Sequence, residues 1–118
     1  MTMETLNNDP ERTHEQEVIE RLTSFIVDKV SPEKIILFGS RARGDHKVDS
    51  DYDILILTKG EISNFEVTRK IRRELFHTDL TLDIDFLAVD IDRYEKLKTT
   101  VGYIYKTIER EGRILYAK

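Results

Sequence analysis

Residues 35–44 read Ile-Ile-Leu-Phe-Gly-Ser-Arg-Ala-Arg-Gly, and residues 50–57 read Ser-Asp-Tyr-Asp-Ile-Leu-Ile-Leu. Together they predict two apolar strands joined by a short polar connection. The first strand ends in Gly39-Ser40, and the second opens with Asp51 and Asp53, one residue apart. Side chains alternate along a strand, so both carboxylates project from the same side. Two carboxylates side by side repel each other and are costly at the edge of an apolar core unless a cation neutralises them. Gly39 removes a side chain where a backbone turn has to approach a ligand closely. Ser40 offers a hydroxyl and N–H groups at the start of a short helical turn, a favourable place for phosphate. Arg41 and Arg43 add positive charge nearby. Phosphate donors on one side and metal-holding carboxylates on the other point to a nucleotide and a divalent ion.

Outward from this stretch, the chain reads as one domain. Its 118 residues suffice for a modest core. Hydrophobic residues at 39% and charged residues at 36% suit a well-solvated globule rather than a disordered chain. A formal net charge of −4 argues against broad electrostatic binding to nucleic acid or to anionic membrane. With no cysteine, disulfides and thiolate metal sites are excluded. No apolar run approaches the ~20 residues of a membrane span, and the polar start lacks a signal-peptide core, so the expected location is cytoplasmic.

Residues 1–9 are expected to be a flexible terminus, with the domain occupying 10–118. A helix is expected to begin either at Asp9-Pro10 or, one turn later, at the capping box of Thr13 and Gln16. Val18, Leu22, Phe25, Ile26 and Lys29 supply its inward stripe, and Ser31-Pro32 stops it. Lys34–Phe38 is the first strand, buried on both faces, and Asp51–Thr58 the second. Ser63 and Glu66 open a helix with Val67, Ile71 and Leu75 inward. Its Arg69, Lys70, Arg72, Arg73 and Glu74 mostly face water, a solvated charged face more often than a partner contact. Thr81–Val89 is a third strand carrying Asp83 and Asp85. Asp92 with Glu95 starts a further helix, Val101, Ile104, Tyr105 and Ile108 mark another, and Gly112 caps it before a final strand at 113–117. The pattern predicts an α/β (α+β) domain, a small sheet flanked by helices.

Gly39-Ser40, ten residues, then Asp51-x-Asp53 resembles the signature of the DNA polymerase beta-type nucleotidyltransferases. The fuller strings Leu-Phe-Gly-Ser-Arg-Ala-Arg-Gly and Ser-Asp-x-Asp are similar to the minimal nucleotidyltransferases, small prokaryotic domains often encoded beside a HEPN-domain partner. The lead-in at Ser31–Ile36 and the tail at Glu109–Tyr116 extend the likeness over most of the chain from Val18 onward. The resemblance implies the nucleotidyltransferase fold with a mixed sheet, and three carboxylates: Asp51, Asp53 and one from a neighbouring strand. Strand parity does not choose between Asp83 and Asp85; the family pattern, with the carboxylate just before the apolar end of the strand, favours Asp85.

By the same resemblance, an acceptor hydroxyl attacks the α-phosphate of a nucleoside triphosphate and pyrophosphate leaves. Asp51, Asp53 and Asp85 would hold Mg²⁺, two ions in all, and Gly39, Ser40, Arg41 and Arg43 would bind the phosphates. The implied role is an antitoxin that transfers AMP from ATP to a tyrosine of a HEPN ribonuclease toxin, within a hetero-oligomeric complex and without direct nucleic-acid or membrane binding. Two alternatives stand beside it: an antitoxin that neutralises its partner by binding alone, and nucleotidyl transfer to a small molecule. Plainer readings exist for single residues. Aspartate pairs cap turns, and Arg41 or Arg43 can serve as surface ion pairs. His14, His46 and His77 lack ligand spacing, and Tyr94, Tyr103, Tyr105 and Tyr116 suit packing.

Overall fold

The computed structural model describes residues 13–60, 63–80 and 83–118. Helix α1 spans His14–Val30 and begins at Thr13, whose hydroxyl accepts the Gln16 N–H while the Gln16 side chain accepts the Thr13 N–H. The reciprocal box thus caps the helix; the alternative start at Asp9-Pro10, like the flexible terminus, lies outside the described residues. Val18, Ile19, Leu22 and Ile26 form its buried face. The helix ends before Pro32 as expected, but Ser31 stops it by a different device. It takes a left-handed φ of 46° and donates its N–H to Val27 O at 3.1 Å.

Strand β1 (Lys34–Phe38) leads through Gly39 into the one-turn helix α2 (Ser40–Arg43), and a loop carries the chain into β2 (Tyr52–Thr58). Helix α3 (Asn64–Leu75) crosses over to β3 (Ile84–Asp90). Helices α4 (Ile91–Leu97) and α5 (Ile104–Glu111) follow, then β4 (Arg113–Ala117). The sheet order is β3-β2-β1-β4, with β1 antiparallel to both β2 and β4 and β2 parallel to β3. The parallel pair requires a long crossover, which α3 supplies.

Period-2 alternation divides the sheet into two buried faces. Ile35, Leu37, Ile54 and Ile56 pack with α1 and α3, through Leu22, Ile26, Val67 and Ile71. Ile36, Leu55, Leu57 and Val89 pack on the other face with Tyr94 of α4 and Ile108 of α5. The central strands are therefore apolar on both sides, which is why β1 and β2 read as continuous hydrophobic runs.

Several boundaries differ from expectation. Strand β2 begins at Tyr52 rather than Asp51, and β3 runs from Ile84 to Asp90 instead of ending at Val89, with Asp83 just before it and Thr81 outside the described residues. Helix α4 starts at Ile91, because Asp90 rather than Asp92 is the cap: its carboxylate accepts the N–H groups of Asp92 and Arg93 at 3.0 and 3.2 Å. Val101 lies before α5, in the turn, and is exposed. Among the described residues no helix is long and apolar enough to cross a membrane.

Candidate functional site

The end of β1 and the beginnings of β2 and β3 meet at one corner of the sheet. In the strand register Phe38 faces Asp53, and Asp53 in turn faces Asp85. Asp53 shares its parity with Leu55 and Leu57, so it lies on the α4/α5 side of the sheet, as do Asp51 and Asp85. Tyr52, between the two aspartates, points to the opposite face and is buried there. Its N–H donates to Asp83 O at 2.9 Å, which ties the start of β3 to the start of β2.

The Asp53 carboxyl is half-buried. Burial raises it above the usual carboxylate range; the neighbouring Asp85 and Asp51 charges raise it further, while Arg43 pulls it down. Asp53 and Asp85 also lie within hydrogen-bonding reach of each other. Asp85, not Asp83, is thus the third-strand carboxylate brought against Asp53, although both share one parity. Asp83 is exposed and engages β2 through its backbone carbonyl.

Gly39 adopts φ 75° at the head of α2, a conformation that L side chains rarely take. A Cβ built there would overlap the Asp53 Oδ2 atom and stand 3.0 Å from its Cγ. The turn therefore presses directly on the carboxylate, and only glycine fits. Ala42 and Arg43 donate their N–H groups to Gly39 O, both at 3.1 Å, and Gly44 donates to Ser40 O at 2.9 Å. The Ser40 and Arg41 amides, at the first positions of the turn, precede any helical acceptor. These amides and Ser40 lie next to Gly39, the residue in contact with Asp53.

The two arginines part company. Arg43 is exposed and faces the site: it pairs with Asp45 at 3.2 Å, reaches Glu111 at 3.7 Å, and its charge acts on Asp53. Arg41 is buried, its guanidinium engaged by Glu15, Ser50, Lys47 and Val48 and laid over the Tyr52 ring. Sequence reasoning grouped Arg41 with the phosphate ligands; the structure turns it inward, to the face of the sheet opposite the aspartates. It also left out Glu15, Tyr52 and Glu111. Nothing in the local pattern marks Glu15, which lies 26 positions before Arg41 in the chain. The alternation around Tyr52 did signal a side chain opposite the acidic face.

Among the described residues no three His, Cys, Asp or Glu side chains stand close enough to form a ready-made metal cage. The donor set nevertheless fits a hard divalent cation. Two carboxylates in register, one held protonation-prone by burial and like charge, are the oxygen ligands Mg²⁺ takes when substrate phosphates and water complete its shell.

A family model described as "Polymerase beta, Nucleotidyltransferase" matches residues 20–118. A Methanocaldococcus jannaschii protein named "Putative protein adenylyltransferase" is 38% identical over 63 residues, 53% of this chain. The match spans 61% of that relative's length. A crystal structure of a toxin–antitoxin with AMP-PNP superposes with a TM-score of 0.51 at 19% identity, covering 85% of this chain and 73% of that one. A "putative nucleotidyltransferase" from Sulfolobus solfataricus superposes with a TM-score of 0.55 at 21% identity, covering 94% of each chain. At these identities the two structures bear on the fold alone.

Proposed function

Because the chain belongs to the polymerase beta nucleotidyltransferase family over residues 20–118, we propose that it transfers AMP from ATP to a hydroxyl group on a partner protein. The acceptor in this reading is a tyrosine of a HEPN ribonuclease toxin, and the chain is the antitoxin. The observation that carries the transfer is the contact of the Gly39 turn with Asp53, itself in register with Asp85. In this reading the turn supplies the phosphate donors, and it touches one of the carboxylates. The name of the Methanocaldococcus relative supports a protein acceptor, and the toxin–antitoxin fold neighbour supports a partner.

In the reaction, the acceptor oxygen forms a bond to the α-phosphorus, and the bond from that phosphorus to the bridging oxygen of the β-phosphate breaks. Pyrophosphate leaves, and the acceptor's proton passes to a carboxylate. In this reading Asp85, exposed on β3 and in register with Asp53, takes that proton. The Ser40 hydroxyl and the amides of the turn grip the β- and γ-phosphates, and Arg43 offsets charge that grows on them. Asp51, Asp53 and Asp85 would hold Mg²⁺, which when bound supplies charge stabilisation at the phosphates and acidifies the acceptor hydroxyl. An AMP group on a tyrosine near an RNA-binding surface adds negative charge where RNA phosphates must sit, which accounts for neutralisation.

The test is to incubate the protein with Mg²⁺, ATP and its co-encoded partner, then take the intact mass of both chains. The expected result is one or more AMP units on the partner, abolished in Asp51→Asn and mapped to a tyrosine. A tight complex with no mass gain under any of the four triphosphates would overturn transfer in favour of neutralisation by binding.

A further inference from the structure

The Arg41 guanidinium is almost fully buried, at 7% exposure, yet every contact it makes lies within the fold. Nε donates to Ser50 O at 3.0 Å, and Nη1 to Glu15 Oε2 at 2.7 Å. Nη2 donates to Val48 O at 3.1 Å and to Lys47 O at 3.5 Å. Its Cζ stands 4.0 Å from the centroid of the Tyr52 ring. The same Glu15 oxygen lies 3.1 Å from His46 Nε2, so α1 touches both Arg41 and the first part of the loop, while Arg41 itself reaches the loop's far end at Ser50. The Ser50 side chain closes that loop by accepting the Lys47 N–H at 2.8 Å.

These partners bracket the site. Arg41 follows Ser40 in the phosphate-facing turn, Ser50 precedes Asp51, and Tyr52 separates Asp51 from Asp53. Alternation makes the strand a lever: a ring held down on the α1 side fixes the direction of its two neighbours on the other. We infer that Arg41 is a positioning residue that sets the Asp51–Asp53 pair against the Ser40 turn by clamping residues 47–52 from the opposite face of the sheet. Only a planar fork with donors along its rim satisfies carbonyls in three directions while stacking on an aromatic ring. A lysine ammonium keeps the charge and loses both properties. The inference rests on the metal-holding role of the aspartates.

The experiment measures Mn²⁺ uptake by electron paramagnetic resonance without nucleotide, alongside hydrogen exchange of residues 45–51. Arg41→Lys and Arg41→Ala are expected to weaken Mn²⁺ binding by about 10–100-fold, the usual cost of removing an outer-shell support, and to expose the loop amides. Asp90→Ala, destabilised at the far end of β3, should keep its Mn²⁺ affinity, which separates positioning from general loss of stability. If the Arg41 variants do not fold, Tyr52→Leu, which removes the stacked ring, should show the same loss. Unchanged Mn²⁺ affinity in a folded Arg41→Lys or Tyr52→Leu protein, with only ATP binding reduced, would overturn the inference and return Arg41 to the phosphate ligands. A wild type that takes up no Mn²⁺ would overturn the metal reading beneath it.

Discussion

Burial and the charges of Asp85 and Asp51 hold the Asp53 carboxyl above the usual carboxylate range, and the sign of the consequence follows. Folded Asp53 keeps its proton to a higher pH than the unfolded chain does. Stability of protein stripped of metal by EDTA therefore falls as pH rises from the ordinary carboxylate value through the raised one, then levels off. Asp53→Asn should remove that slope and stabilise the stripped fold at neutral pH by up to about 1 kcal/mol, the scale of relieving like charges in register. Transfer should fall by at least about 10²–10³-fold. Denaturant melts between pH 4 and 8 and mass-based transfer assays check the two halves; a less stable variant at neutral pH would refute the electrostatic account. Asp85→Asn should damage transfer comparably, while Asp83→Asn, whose backbone rather than side chain engages Tyr52, should leave it within about twofold. The reverse ranking would reassign the third carboxylate.

Helix caps and strand ends decide what holds the elements in place. Asp90 terminates β3 and caps α4, and its other oxygen accepts the Gly60 N–H at 3.2 Å. Asp90→Ala should cost about 1–2 kcal/mol in urea melts, with transfer kinetics unchanged, because the loss falls at the end of the sheet away from the aspartates. Strands β1 and β4 were legible to the residue, since continuous apolar runs bounded by Pro32, Gly39 and Gly112 leave little choice. The Asp90 cap was not, because Asp92 with Glu95 satisfies the same local pattern and only the strand's true length excludes it. Gly112 was placed correctly as the helix end but for another reason. Its φ is −74°, and what demands glycine is space: a Cβ there would stand 2.6 Å from both Ile108 O and Ile36 Cγ2. The Gly-Ser turn and the Asp pair were readable because local spacing encodes them. The inward turn of Arg41 was not, because its acidic partner comes from a helix 26 residues earlier.

At the scale of the molecule, one sheet serves two apolar layers and leaves the acidic corner on the rim between β1, β2 and β3. Ligand that neutralises this corner binds the folded chain alone, so Mg²⁺ with a non-hydrolysable ATP analogue should raise the melting temperature. At about 100 times the dissociation constant the gain is about 2.7 kcal/mol. Asp51→Asn should abolish most of that shift, and an equal shift in the variant would place the ligand elsewhere. The two-faced strand β2 has one more consequence, for the quality of the folded population. A slip of one residue in its pairing would swing Asp53 into the layer lined by Ile35, Leu37 and Ile26, and carry Ile54 and Ile56 out of it. Such a chain has neither a core nor the acidic corner, so it should be both protease-sensitive and unable to bind what that corner binds. Misfolding and loss of the acidic corner are thereby expected to go together, and the folded molecules to be uniform in their site.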